Sequence, residues 1–595
     1  MSSYNPPLND MAFTLAHVLD ARSQWAKIPA FKDLDQDTAM AVIEQAGTFA
    51  SELLAPINAT GDEHGCEWTP EGVHTPPGFR EAYAAFVEQG WPALACAPEH
   101  GGQGLPHLLN AALYEMLAGA NHGWTMYPGL LYGAYETLAA HASPEVQSLY
   151  LPHIVSGEYL ATMCLSEPQA GSDLGLIRTR GNWSNPDQVG NGARVHITGS
   201  KVFISGGDSD MSSNLVHLVL FRLPEAPTGT KGISLALVPK YLPDGTKNKV
   251  FADSIEKKMG IHGSATCQMR FEQAEGWLIG EPRQGLRAMF LMMNAARLHV
   301  ALQGLGHLEA ATQGAWAYAK ERLQMRAPQR AAGTPRDADP IAFQPAMRRV
   351  LWRLRARTDG GRVFAYWLAQ RLDEAHHHPD AQERQCALSD VNFLTPVAKA
   401  FLTDLGHRSA DEALQVWGGY GYVREFGIEQ TVRDSRIAMI YEGTNEIQAI
   451  DLIQRKFLAD GGAHAEDLIT RMAQHAAIAC ARTPTRPFGE SLELQIKHWR
   501  AAHEAILLRA THGIEHVLEV ADDYLQATGH TMLAWAWTQI ALACMKCAET
   551  QPTSELEARL ASAQHGINYL LDDALPHWAR LHRAPSHLAS IQVDS

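Results

Sequence analysis

ATMCLSEPQAGSD, residues 161–173, is where the pattern of this chain changes. Before it, apolar residues recur at helical spacing. Within it, a short apolar run ends in a turn rich in Pro, Gly and Ser, and after it strand-like alternation takes over. Upstream, DTAMAVIEQAGTFASELLAPINATG (37–61), PPGFREAYAAFVEQGW (76–91) and LPHLLNAALYEMLAGANHGWTM (105–126) predict a helical region throughout, with breaks at Pro76, Pro77, Pro98 and the GGQG of 101–104. Downstream, ARVHITGSKVFISGG (193–207), NLVHLVLFRL (214–223) and KGISLALVPK (231–240) are rich in Val and Ile and predict a β domain ending near Gly280. Helical periodicity returns over 285–323 and continues to about Leu458, with MRAPQRAAGTPRDADP (325–340) and DEAHHHPDAQER (373–384) read as loops. DGGAHAED (460–467) marks a boundary before a last helical block, and MAFTLAHVLDA (11–21) reads as a short appended element. The fold class is therefore mainly α with a central β domain. The expected segments are 1–35 (N-terminal extension), 36–160 (helical), 161–280 (β), 281–460 (helical bundle) and 461–595 (additional helical domain).

With 595 residues the chain is too long for one hydrophobic core. Its formal net charge of −16 argues against a general polyanion binder, so an anionic ligand would have to be held by locally placed basic groups. MSSYNPPLNDMAF (1–13) has neither a basic n-region nor an apolar h-region. The most apolar run, TMLAWAWTQIALACMKC (531–547), is interrupted by Thr538 and Gln539 and carries Lys546, which predicts a buried helix rather than a membrane span. A cytoplasmic location and no membrane association are the expectation. Of eight cysteines only Cys544 and Cys547 form a CxxC, inside an apolar helical run with no second pair, so packing is expected there and no metal. His376, His377 and His378, followed by Pro379, read as a solvated turn.

RDSRIAMIYEGTNEIQ (433–448) places Glu442 among Ile437, Met439, Ile440 and Tyr441, with Gly443 allowing close backbone approach to a ligand. A carboxyl desolvated in such surroundings has its pKa raised toward the working pH, which suits a base that removes a proton from carbon. In KVFISGG (201–207), Phe203 and Ser205 share one face of a strand, an aromatic and a hydroxyl suited to a flat ring system. Asn294 and Arg297 of NAARL lie one helical turn apart, and QVWGG (415–419) leads a helix into a glycine turn that a phosphate can approach. No GxGxxG follows a predicted strand and opens a helix, so a Rossmann nucleotide site is not supported.

Taken with GGYGYVREFGIEQ (418–430), the 433–448 run resembles the active-site region of the flavin-dependent acyl-CoA dehydrogenases, and the order of helical, β and helical domains is similar to theirs over nearly the whole chain. The two extensions resemble those of the larger bacterial branch of that family, which includes methylthiopropanoyl-CoA and long-chain fatty acyl-CoA dehydrogenases. The resemblance implies FAD as cofactor, contacted by Met163, Leu165, Ser166, Ser172, Phe203, Ser205 and Thr444, with Arg322, Gln344, Gln415 and Gly419 at the flavin of a partner subunit. It implies coenzyme A contacts at Ser172, Asn294 and Arg297, a thioester site walled by Tyr441 and Gly443, and Glu442 as the base that takes the α-proton. Phe203 and Ser205 depart from the Trp and Thr more often found in the family, and Glu446 stands where many relatives carry Gln. The implied reaction is α,β-dehydrogenation of an acyl-CoA to the trans-2-enoyl-CoA, with electrons passed to an electron-transfer flavoprotein, by a homodimer. The acyl group is a fatty chain or 3-(methylthio)propanoyl, with Tyr127, Leu130 and Tyr132 as candidates for the pocket lining. An acyl-CoA oxidase shares the base and flavin and is the alternative. A DNA-associated, alkylation-response relative should carry a basic C-terminal domain, whereas 461–595 has 10 Lys plus Arg against 15 Asp plus Glu, which speaks against nucleic acid.

Overall fold

The computed structural model describes residues 4–330, 337–550 and 552–584. The chain divides into two units, one of residues 48–106 and 116–299, the other of 1–47, 107–115 and 300–595. In the first unit the helical stretch before Tyr159 is not helical throughout. After the helix Ala55–His64 the chain forms a hairpin of β1 (Glu67–Thr69) and β2 (Gly72–His74), and only then the helix Phe79–Glu88. Phe49, Tyr83, Phe86 and Trp124 form an aromatic cluster, Tyr83 and Phe86 stacked and the other pairs tilted or edge to face, and Trp124 donates its indole N–H to the Phe79 carbonyl at 3.1 Å.

The β domain contains β3 (Tyr159–Cys164), β4 (Arg180–Trp183), β5 (Arg194–Ser205), β6 (Asn214–Arg222), β7 (Ile233–Pro239), β8 (Val250–Ile255) and β9 (Thr266–Ile279). Pairing runs β6–β4–β5–β9–β7 and returns to β6, closing a ring, with β3 added parallel to β6 and β8 antiparallel to β9. Closure explains a departure from the expected alternation. β7 is buried at every residue and β6 at every residue but Arg222, because both faces of these strands are covered. His217, in the middle of β6, is pushed by burial down to about 3, so it is neutral, and its Nδ1 lies 2.7 Å from the Thr162 hydroxyl.

The second unit is built on the long helices Pro345–His377, Ala381–Trp417, Ala463–Cys480, Arg486–Ala510 and Ala521–Ala548, together with residues 300–321 of the helix Gly285–Glu321. The apolar run 531–547 is a buried helix as expected, with Thr531 and Thr538 returning their hydroxyls to carbonyls four residues back. No helix among the described residues is long and apolar enough to cross a membrane. The histidine run is corrected: the helix continues through His376 and His377, where the His377 ring meets Phe31 edge to face, and the chain turns only at His378. Of the 325–340 loop, residues 331–336 lie outside the described set.

A buried ionic cluster runs through this unit. Arg362 sits between Glu115 and Glu309 at 2.6 and 2.5 Å, and the Tyr366 hydroxyl donates to Glu115 at 2.6 Å. Asp10, in the N-terminal helix Leu8–Phe13, bridges Arg355 of the bundle and Arg559 of the C-terminal block, each at 2.6 Å. Burial alone would raise the Asp10 carboxyl, but Arg355, Arg362 and Arg559 overcome it and hold it at about 2.

Candidate active site

In the β domain, the candidate residues gather where the end of β3 meets the end of β5. Lys201, with a fully buried side chain, donates to the Leu165 carbonyl and to the Glu167 carboxylate, both at 2.9 Å, and the Val202 N–H donates to the Ser166 carbonyl at 2.9 Å. These bonds lay Leu165 and Ser166 beside Lys201 and Val202, with Met163 just before them in β3 and Phe203 and Ser205 following in β5. Burial would raise Glu167, but the Lys201 ammonium and the N–H groups of Arg178 and Thr179 hold it at about 2. The strand is not regular here. The pairing with β9 slips between Lys201 and Ile204, and Phe203 takes φ +60, a left-handed backbone that a bulky residue adopts at a cost of about 1–2 kcal/mol. Phe203 is 66% exposed, Ile204 is buried, and Ser205 is half-buried opposite Thr266. Ser172 lies on an exposed turn, whose Asp173 carboxylate accepts from the Gly175 N–H at 2.9 Å.

Asn294 and Arg297 fall on one face of the helix Gly285–Glu321, the first exposed and the second buried at 6% exposure, so Arg297 is not a surface ion-pair residue. Of the three candidates for a pocket lining, Tyr127 is buried with its hydroxyl engaged, accepting from the Ala265 N–H at 2.9 Å and donating to the Gly263 carbonyl at 3.2 Å. Leu130 and Tyr132 are half-buried, and the Tyr132 hydroxyl donates at 3.1 Å to Glu136, whose carboxyl burial pushes up to about 7.

In the helical unit, Glu442 stands half-buried on a tight turn, with φ +57 followed by φ +85 at Gly443. Glycine takes such an angle freely; glutamate does so at a cost of about 1–2 kcal/mol, and it persists only where surroundings impose it. Three side chains do so. Gln448, buried in the helix Asn445–Ile450, donates to the Glu442 carbonyl at 3.1 Å and more weakly to that of Gly443 at 3.4 Å. Lys399, also fully buried, donates from the helix Ala381–Trp417 to the Gly443 carbonyl at 2.8 Å and to Asn445 Oδ1 at 3.0 Å. Asn445 in turn donates to the Ala400 carbonyl at 3.1 Å. The neighbouring Tyr441 donates its hydroxyl to the buried Gln303, and burial pushes that phenol well above its ordinary value. Thr444 caps the following helix, its hydroxyl accepting from the Ile447 N–H at 3.3 Å.

A second feature of this unit is a cavity of about 500 Å³ lined by Tyr318, Arg322, Gln324, Trp417, Gly419 and Tyr420, among others. Tyr318 and Trp417 stack at 4.2 Å, and the Arg322 guanidinium lies over the Tyr420 ring at 5.2 Å. Gly418 takes φ +59, and a Cβ added at Gly419 would meet no atom within 4 Å. Arg322 and Gly419 are thus brought together. Gln415 is exposed outside the lining, and Gln344 stands at the N-terminus of the helix Pro345–His377 with its amide 3.5 Å from the carbonyl of Gln324, a residue of the lining. Sequence reading missed Lys201, Gln303, Gln324, Lys399 and Gln448. The one signal for Lys399 was a lone charge in the apolar helical run 393–402.

Four family models match the chain in order: acyl-CoA dehydrogenase N-terminal domain over 36–158, middle domain over 162–274, C-terminal domain over 283–457, and an acetyl-CoA dehydrogenase C-terminal-like domain over 467–592. The 3-methylmercaptopropionyl-CoA dehydrogenase of Ruegeria pomeroyi is 36% identical over 94% of this chain and 95% of its own length. A broad-specificity linear acyl-CoA dehydrogenase of Mycobacterium tuberculosis is 31% identical over 90% of this chain and 89% of its own. Among solved structures, an acyl-CoA dehydrogenase complexed with FAD from Bacillus anthracis shares the fold with a TM-score of 0.73 at 19% identity, covering 94% of this chain and 90% of that one.

Proposed function

Because this chain belongs to the acyl-CoA dehydrogenase family, a family of FAD-dependent oxidoreductases acting on acyl-CoA, we propose that it oxidises a short acyl-CoA, foremost 3-(methylthio)propanoyl-CoA, with Glu442 as the base. The substrate reading is supported by identity to the Ruegeria protein along almost the full length of both chains. The observation that carries the base is the turn itself: a glutamate held at φ +57 by buried donors on the carbonyls of residues 442 and 443.

The residues fit FAD. In the cavity of the helical unit, a Cβ-free glycine turn and a guanidinium suit a diphosphate, and the buried Trp417 Nε1 has no hydrogen-bond partner among the described residues. The exposed Phe203 ring and the Ser205 hydroxyl suit an isoalloxazine. We assign Met163, Leu165, Ser166, Phe203 and Ser205 to the flavin ring end, with Ser172 and Thr444 beside it. Arg322 and Gly419, supported by Gln415 and Gln344, would hold the diphosphate and adenosine end of a flavin shared across a homodimer. Coenzyme A would be held by Asn294 and Arg297, with Ser172 beside it, and Tyr441 and Gly443 would wall the thioester.

When bound, FAD supplies the acceptor for the hydride that leaves the β-carbon. Glu442 takes the α-proton as that C–H bond breaks, and its backbone N–H donates to the thioester oxygen as charge develops there. With that hydride acceptor in place, removal of the α-proton by Glu442 would leave the trans-2-enoyl-CoA. An electron-transfer flavoprotein would be the partner that reoxidises the enzyme. Anaerobic flavin bleaching by acyl-CoAs of graded length, with the methylthio thioester included, tests the substrate. A Glu442→Gln variant that is folded, FAD-loaded and reduced at a near-normal rate would overturn the base assignment. Peroxide production in air comparable to dye reduction would replace the dehydrogenase reading with an oxidase.

A further inference from the structure

We propose that Lys399 is a positioning residue for catalysis, its ammonium holding the Glu442–Gly443 turn in the left-handed conformation that presents the base. The inference rests on Glu442 being that base. Lys399 reaches the turn from a different element, the helix Ala381–Trp417, and its side chain is fully buried. A lysine buried to that extent is rare unless its charge is used. Here it meets two acceptors, the Gly443 carbonyl at 2.8 Å and Asn445 Oδ1 at 3.0 Å. Asn445 is itself fixed by the Ala400 carbonyl, one residue along the helix from the lysine, so the ammonium, the amide and the helix form a small closed loop of bonds.

The geometry assigns the lysine more than a packing role. Consecutive positive φ values at Glu442 and Gly443 turn both carbonyls toward the buried side, where Gln448 and Lys399 receive them. A relaxed turn, with Glu442 returned to negative φ, would rotate the Glu442–Gly443 peptide and swing the glutamate side chain with it. A neutral donor on the first carbonyl and a charge-assisted one on the second oppose that rotation. Gly443 tolerates either hand of backbone, so it supplies no restraint of its own. Displacement of a catalytic group by about 1 Å can cost about 100-fold in rate, so the clamp should be visible in the proton-abstraction step rather than in binding.

The test uses the FAD-loaded full chain and 3-(methylthio)propanoyl-CoA as probe, in anaerobic stopped flow. Lys399→Met is expected to lower the flavin reduction rate constant about 30-fold, about 2 kcal/mol in the barrier. The apparent substrate Kd should stay within about threefold, and the α-deuterium isotope effect should be at least that of the parent enzyme. An unchanged reduction rate in the FAD-loaded fraction, or a loss confined to substrate Kd, would overturn the proposal. Should Lys399→Met fail to retain FAD, Asn445→Ala decides: it leaves the charge but removes its second anchor, and a reduction rate down about threefold or more at unchanged Kd supports the clamp. An unaltered rate refutes it. Glu442→Gln separates the two ideas. Near-normal bleaching in that variant sinks the base assignment, whereas no bleaching there with a normal rate in Lys399→Met sinks the clamp alone.

Discussion

Glu167→Gln probes the foundation of the flavin half-site in the β domain. The parent carboxyl is held at about 2 instead of 4.5, despite burial, by the Lys201 ammonium at 2.9 Å and the N–H groups of Arg178 and Thr179 at 2.6 and 3.0 Å. That depression corresponds to about 3 kcal/mol favouring the ionised form in the fold. Burial also holds the Lys201 ammonium below its ordinary value, so the pair returns part of that gain, and a net cost of about 2–3 kcal/mol is expected when the charge is removed. Because Lys201 also holds the Leu165 carbonyl, loss of its partner should loosen residues 163–166 and raise the Kd for FAD about 10- to 100-fold, measured by titrating apoprotein with flavin. Adding Lys201→Met should recover thermal stability to within about 1 kcal/mol, because no unpaired charge remains inside, while FAD affinity stays low because the bond to Leu165 is gone. The sign with pH follows from a depressed carboxyl. Its contribution is complete above 4.5 and is lost as pH falls through about 2, so the parent's stability should drop more steeply than the variant's in that window. Glu167→Gln matching the parent in both melting and FAD affinity would refute the reasoning.

Asp10→Asn removes a carboxyl held at about 2 instead of 3.8, so the N-terminal element should lose about 2 kcal/mol of docking, read as roughly 30-fold faster hydrogen exchange in peptides covering 8–25 and 554–565. That contribution is present above 3.8 and disappears as pH falls through about 2, so parent and variant should converge in acid. Phe203→Gly should split two readouts. Relief of the left-handed strain raises the apoprotein's stability by up to about 1 kcal/mol, while loss of the ring raises the FAD Kd about tenfold; equal FAD affinity would deny the ring a role.

The order of helical and strand regions was legible because periodicity over ten or more residues reports burial directly. What periodicity hid was local or non-local. The β1–β2 hairpin has strands of three residues, too short for any period to register. NLVHLVLFR does not alternate because ring closure covers both its faces, a property of the whole sheet. DEAHH reads as polar loop, yet Asp373 is buried in a helix, its carboxylate accepting from the N–H groups of His107 and Leu108. At the site, Glu442, Phe203 and Arg322 stood out by residue type and motif. Lys399 and Lys201 did not, because a lysine's meaning depends on acceptors that lie far away along the chain: Gly443 for one, Leu165 for the other.

The bridge from Asp10 to Arg559 also imposes an order in time. Asp10 is synthesised long before Arg559, because the β domain and the helical bundle lie between them in the chain. Until then one of the carboxylate's two cations is missing and the Phe13 ring lacks the guanidinium that later covers it at 4.6 Å. The contact between the N-terminal helix and Arg559 therefore belongs to a late step of folding, after the C-terminal helical block has been made and packed.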